Sequence, residues 1–273
     1  MTRGERVIAF IERYCYVPEG DLVGQRMVLA YFQRLFILAI YDTGLNRRAR
    51  RAILSIARKN GKTALIAALV LAHLVGPEAQ QNARIISGAL SRKQAAEVFN
   101  YASKMVMLSP ELSPLVHVVP SGKTILGLPM NTEYQAIAAE AGTAHGGSPV
   151  VAILDELGQI KGPHSSFVEA IETSQGAYAA PLLIAISTQA PTDDDLFSRW
   201  IDDALAVEDP LVVCHVYSTP EHYDVLDPEG WRIANPGLGM FRNEDELAEW
   251  AQRADRLPRD ASSFRCLYLN QRV

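Results

Sequence analysis

Cysteine is scarce. The 273 residues contain three, Cys15, Cys214 and Cys266, far apart and without a Cys-x-x-Cys pair. This argues against a disulfide framework and a cysteine zinc site, and a reducing compartment fits best. Long apolar runs are missing too. The longest, Ala64 to Val75, is interrupted by His73 and is far shorter than the roughly 20 residues a bilayer span needs. Met1 to Phe10 mixes charges and lacks the apolar stretch of a secretory signal. Nor is there a positive excess. Lys and Arg number 26 against 31 Asp and Glu, a net charge of −5, so no domain-wide basic footprint for nucleic acid exists. No repeat or low-complexity tract appears. The expectation is a soluble, cytosolic protein without a membrane segment.

The composition, 48% apolar and 21% charged, is globular and argues against disorder. The length fits one large domain or two small ones. Charge is unevenly spread. Between Thr43 and Pro77 there is no acidic residue, and Arg47, Arg48, Arg50, Arg51, Arg58, Lys59 and Lys62 all fall there. The stretch from Asp193 to Asp209 is acidic.

The first 45 residues read as helical, with Met27 to Ile40 as a buried helix. Arg51 to Ala57 suits a strand, and Ala64 to Val75 a helix stopped by Gly76-Pro77. Ala83 to Gly88 is a second strand. Ser91 to Leu108 is a helix opened by a capping box of Ser91 and Gln94. His117 to Leu128 reads as two short strands around Pro120-Ser121-Gly122. Pro149 to Leu154 and Pro181 to Ser187 are continuous apolar runs, as expected for strands covered on both faces, with a helix at Phe167 to Thr173 between them. This alternation predicts an α/β fold with a mostly parallel sheet and helices on both faces. From about Leu205 charge and proline become denser, which suggests a smaller subdomain containing a helix at Glu244 to Ala254.

The strongest local pattern is Ser55-Ile56-Ala57-Arg58-Lys59-Asn60-Gly61-Lys62-Thr63. A phosphate-binding loop needs a strand, a tight turn and a helix whose first amides face the anion. Gly61 permits close backbone approach, Lys62 would neutralise phosphate charge, and the Thr63 hydroxyl would bind Mg²⁺. The pattern departs from G-x-x-x-x-G-K-[ST] at its first glycine, which is Ile56. A second Gly-Lys-Thr, at Gly122 to Thr124, precedes a sequence that cannot start a helix, and it reads as a hairpin turn.

The apolar run to Leu154 delivers Asp155 and Glu156. Asp155 would hold the Mg²⁺ shell through water, and Glu156 would orient and deprotonate the attacking water. Adjacent acids on a strand point to opposite sides, which permits separate roles. A solvated strand end is the alternative. Ser187-Thr188-Gln189 ends the next apolar run, where polar side chains sit at the ligand edge of such a sheet. A helix cap or a turn before Pro191 explains them as well.

Together these segments resemble the ATPase domain of the large terminase subunit of tailed bacteriophages, in the group containing the HK97 phage enzyme. The resemblance rests on Arg58 to Thr63, on Gln33 within Tyr31 to Leu35, on Leu154 to Leu157, and on Ile186 to Gln189. Ala141 to Gly146 is also similar. In terminases the Ile56 departure is expected. The resemblance implies a P-loop ATPase of the ASCE type with a lid subdomain, covering most of the chain. ATP would be held by Gln33, Arg58, Lys59, Asn60, Gly61, Lys62, Thr63 and Asp155, with Gln33 recognising adenine. Arg58 would act catalytically beside Glu156 by stabilising transition-state charge. Ser187, Thr188 and Gln189 would couple hydrolysis to movement. The implied partners are double-stranded DNA, portal protein, prohead and the small terminase subunit. They would meet in a pentameric ring in the host cytoplasm, with a monomer allowed for the isolated chain.

The expected organisation is one terminase-type ATPase domain, with its core at residues 46–204 and flanking helices and lid at 1–45 and 205–273. No spaced acidic cluster resembles a nuclease site, so no nuclease domain or activity is expected. An arginine acting in trans would be one of Arg84, Arg92, Arg199 or Arg232. Whether Arg47 to Arg51 touches DNA stays open. The competing readings are a helicase-like ATPase stimulated by nucleic acid and a non-hydrolysing nucleotide-binding scaffold.

Overall fold

The computed structural model describes residues 1–44, 49–139 and 147–273. Helices α1 (Arg3–Tyr14) and α2 (Tyr31–Tyr41) open the chain. The expected helix from Met27 is shorter than its apolar pattern suggested, because Met27–Ala30 is not helical. The Met27 amide donates to the Cys15 carbonyl at 3.0 Å, and the Leu29 amide to the Glu12 carboxylate at 3.0 Å. Distant partners satisfy these donors, so a helical turn gains nothing there.

The described strands form one eight-stranded sheet. They are β1 (Arg51–Ile56), β2 (Arg84–Ala89), β3 (Val116–Val119), β4 (Thr124–Gly127), β5 (Thr132–Ala138), β6 (Val151–Asp155), β7 (Leu182–Ser187) and β8 (Val212–Tyr217), in the order β3-β4-β5-β2-β6-β7-β1-β8. β2 pairs in parallel with β5 and β6. The β3–β4 and β4–β5 pairs are antiparallel. Helices α3 (Lys62–Leu74), α4 (Arg92–Leu108), α5 (Ser166–Ser174) and α6 (Leu196–Val207) alternate with the strands. Helices α7 (Pro228–Ala234), α8 (Glu244–Arg256) and α9 (Pro258–Tyr268) follow.

β6 and β7 are buried along their whole length, as their unbroken apolar runs require. α4 begins at the expected capping box, with Ser91 Oγ accepting the Gln94 amide at 3.3 Å. The second Gly-Lys-Thr is the β3–β4 hairpin. Lys123 there is left-handed, with φ 50°, and no helix follows.

The chain divides into two compact units that interleave in sequence. The first is Met1–Ala52, Thr63–Asp155 and Ser166–Ile184, and the second is Ile53–Lys62, Glu156–Ser165 and Ala185–Val273. Within the second, Val225, Trp231, Leu247, Phe264 and Leu269 build a core shared by α7, α8 and α9. α8 is held at its start by Asn243, whose side chain accepts the Asp245 and Glu246 amides. Its acidic first turn and basic last turn suit the helix dipole.

Candidate active site

The second unit carries the loop from Ile53 to Lys62. Ile56 is the last residue of β1 and is fully buried, so the missing glycine marks a strand packed tightly up to the loop. The chain then turns through two left-handed residues, Lys59 at φ 62° and Gly61 at φ 71°. α3 starts at Lys62. The first amides of a helix have no partner inside it, and together with the dipole they make a seat for an anion. Lys62 is buried, and its ammonium donates to the carbonyls of Ile56 at 3.1 Å and Ala57 at 3.2 Å. It bends over its own loop.

The loop is braced by residues far away in sequence. Asn60 is buried and donates to Asn235 Oδ1 at 2.9 Å, while its own oxygen accepts the Gly237 amide at 3.1 Å. Asn60 also donates to the Ala57 and Arg58 carbonyls, both at 3.2 Å, so its side chain is part of the loop's frame. Lys59 pairs with Glu246 on α8, a hydrogen bond that holds the Glu246 carboxyl below its ordinary pKa. Arg242 is buried over the Tyr268 ring and donates to the Arg58 carbonyl. Burial lowers its guanidinium pKa. The Arg58 amide donates to the Leu267 carbonyl at 2.9 Å, and its side chain is exposed.

Glu156 follows β6 but is not on the strand. It is left-handed, with φ 56°, and its amide donates to the Ile186 carbonyl at 2.9 Å. Strand alternation therefore does not separate it from Asp155; a backbone reversal does. Such a conformation costs a non-glycine residue about 1–3 kcal/mol and is characteristic of functional sites. Ser187 Oγ donates to Glu156 Oε2 at 3.5 Å, and Gln159 Nε2 reaches the same oxygen at 3.5 Å. Both are at the outer edge of hydrogen-bond reach. Ser187 Oγ also accepts the Gly158 amide at 2.9 Å. Ser187, Thr188 and Gln189 are all buried.

Gly158 has no room for a side chain. A Cβ there would stand 2.3 Å from the Thr188 carbonyl oxygen and 2.8 Å from Ser187 Oγ. Gly158→Ala is therefore expected to destabilise the fold by about 1–3 kcal/mol through overpacking. Thermal denaturation checks this, and an unchanged melting temperature would contradict the close packing.

Three further residues expected at the nucleotide, Thr63, Asp155 and Gln33, belong to the first unit. Thr63 is the second residue of α3, and Asp155 ends β6 and is buried. Burial raises the Tyr134 hydroxyl pKa, and the Asp155 charge adds to the shift. Gln33 is no surface glutamine. It is buried in the first turn of α2, where its Oε1 accepts the Ala30 amide at 3.0 Å. Among the arginines considered for action in trans, Arg84 donates to Gln135 at 2.8 Å and Arg232 pairs with Glu244 at 2.9 Å. Arg92 and Arg199 are exposed. Arg50 donates to the Ala179 carbonyl and Arg51 pairs with Glu172. Arg47, Arg48 and Ala141 to Gly146 lie outside the described residues.

Asn235, Arg242, Asn270 and Arg272 were not anticipated. Asn235-Pro236-Gly237 is readable only as a turn signal, and the other residues carry no local pattern.

The family model described as the ATPase domain of the terminase large subunit matches residues 31–202. The terminase large subunit of Enterobacteria phage HK97 is 60% identical over all 273 residues. This chain spans about half of that relative's length, 54%. The crystal structure of the HK97 large terminase aligns with a TM-score of 0.95 at 58% identity, covering 100% of this chain and 56% of that one. The large terminase ATPase domain of Thermus phage P74-26 shares the fold, with a TM-score of 0.59, 17% identity and coverage of 92% and 95%.

Proposed function

We infer the activity from one premise: this chain belongs to the family of terminase large-subunit ATPase domains. It binds ATP with Mg²⁺, hydrolyses it to ADP and phosphate, and supplies the motor of a viral DNA-packaging machine. The observation that carries the reading is Lys62, a buried ammonium at the first residue of α3, folded over its loop's carbonyls. A cation buried at the N-terminus of a helix, beside the loop that precedes it, suits an anionic phosphate far better than an apolar or cationic ligand.

The residues fit the nucleotide. The α3 amides and Lys62 would receive the β- and γ-phosphates, with Asn60 and Lys59 keeping the loop in shape. Gln33 would face the adenine and Arg58 the γ-phosphate. A Mg²⁺ carried by phosphates needs only one or two protein oxygens, which Thr63 and Asp155 would provide. Among the described residues no group of three or more His, Cys, Asp or Glu could hold a metal alone, which agrees with that division of ligands. When bound, the ion would neutralise charge building on the phosphate oxygens.

In the reaction, water attacks the γ-phosphorus in line with the bond to the β–γ bridging oxygen. That bond breaks, ADP leaves, and the water proton passes to the Glu156 carboxylate. Arg58 stabilises the charge on the transferring group. Ser187 Oγ reaches the Glu156 carboxylate at 3.5 Å, so the residues from Ser187 to Gln189 would sense a change at Glu156 and transmit it. The substrate moved is double-stranded DNA, and portal, prohead, small subunit and further copies of this chain are the partners of the assembled motor.

Metal removal tests the reading. Phosphate release with ATP and Mg²⁺ should fall to the blank on excess EDTA and return with added Mg²⁺. Turnover that survives EDTA would overturn the metal assignment.

A further inference from the structure

The segment Leu267–Arg272 touches three parts of the second unit at once. The Leu267 carbonyl accepts the Arg58 amide of the phosphate loop at 2.9 Å. Asn270 is fully buried, and its Nδ2 donates to Ser55 Oγ on β1 at 3.0 Å and to the Tyr217 carbonyl on β8 at 3.0 Å. Its Oδ1 accepts the Gln189 amide at 2.7 Å. Two residues on, Arg272 Nε donates to Gln189 Oε1 at 2.9 Å. The same guanidinium is fixed by Asp202 on α6, at 2.7 and 2.9 Å, and by Asp193 at 2.9 Å. Gln271 anchors the stretch between them on the Thr219 carbonyl at 2.8 Å.

We propose that Asn270 and Arg272 form a clasp on Gln189, joining the phosphate-loop strand to the coupling segment and setting its position for turnover. The inference rests on the ATPase reading above and adds two positioning residues to it. One carboxamide spans β1 and the Gln189 backbone, and one guanidinium holds the Gln189 side chain. Neither is placed to touch ATP. Both act through Ser187, which is two residues from Gln189 and within 3.5 Å of Glu156. Asn270 is itself left-handed, with φ 56°, a conformation asparagine tolerates and most residues do not. Its position is therefore specified by backbone as well as by partners. An open cleft of about 650 Å³ borders Gln189 and Arg272, so a released Gln189 has space to move into.

The test compares steady-state ATP turnover, KM and melting temperature for the wild-type chain, Asn270→Gly, Arg272→Ala, Gln189→Ala and the Arg272→Ala/Gln189→Ala pair. Asn270→Gly removes the side chain without penalising the positive φ. The more exposed Arg272→Ala keeps the idea testable if the first variant fails to fold. Arg272→Ala and Gln189→Ala should each lower kcat by about tenfold with KM within about twofold, and the pair should be no slower than the slower single variant. Unchanged kcat, an effect confined to KM or melting temperature, or independent losses that multiply in the pair would each overturn the clasp while leaving the ATPase assignment standing. A wild-type chain that turns over no ATP would instead overturn the ATPase reading, and the clasp with it.

Discussion

Glu156→Gln is expected to lower the ATP turnover number by about 10²–10⁴-fold while leaving nucleotide affinity almost unchanged. Glutamine preserves the size of the side chain and an oxygen that can accept from Ser187 and Gln159. It cannot accept the water proton at neutral pH. The substitution thus removes one chemical step and little structure. The left-handed backbone at Glu156 is retained, because the Ile186 carbonyl and the tight Gly158 packing hold it. Turnover by rapid phosphate detection and affinity by titration with a fluorescent ATP analogue separate the two effects. A variant as active as wild type would remove Glu156 from the base role. A matched fall in affinity would make it a binding residue.

Lys62→Ala is expected to cut turnover by at least about 10²–10³-fold, the usual cost of losing one charge-stabilising donor in an active site. Unlike Glu156→Gln, it should also weaken ATP binding, because the ammonium serves the ground state as well as the transition state. Some stability is lost too, about 1–3 kcal/mol, because the buried Ile56 carbonyl loses a donor. The Ala57 carbonyl keeps the Asn60 donor. Lys62→Arg should not rescue turnover. A planar fork with its own geometry does not replace a compact ammonium at a phosphate. Titration and turnover on the folded variant, with melting temperature as control, check the claim. Turnover within twofold of wild type would contradict it.

Much of the core was legible in the sequence because its signals are local. β1, the loop and α3 occupy one continuous stretch whose chemistry depends on neighbouring residues. β6 and β7 declare themselves as unbroken apolar runs because both faces are covered. β5 was not anticipated. Its residues Thr132–Ala138 mix buried and part-buried positions without a clean alternation, and Tyr134 is buried with its hydroxyl on Ser87 at 2.7 Å. β8 was hidden similarly, since only Val213 of Val212–Tyr217 is buried.

At the proposed site, the candidate residues were named from local patterns, and the contacts that support them had no such pattern. Asn60 meets Asn235 across 175 residues, and Asn270 meets Ser55 across 215. A hydrogen bond over that distance leaves no spacing in the chain to read. The polar Ser187 to Gln189 was visible as a position at a strand end. Its attachment to the Leu267–Arg272 segment depends on tertiary structure alone. The separation of Asp155 from Glu156 was attributed to strand alternation, and the left-handed turn that actually produces it has no signature in an Asp-Glu pair.

Phosphate release by the purified wild-type chain with ATP and Mg²⁺, followed across protein concentrations, decides whether this chain's own residues turn over ATP. Phosphate above the blank is expected at every concentration, rising at least in proportion to protein. No phosphate at any concentration, from a chain that is folded and saturated with ATP, would contradict it.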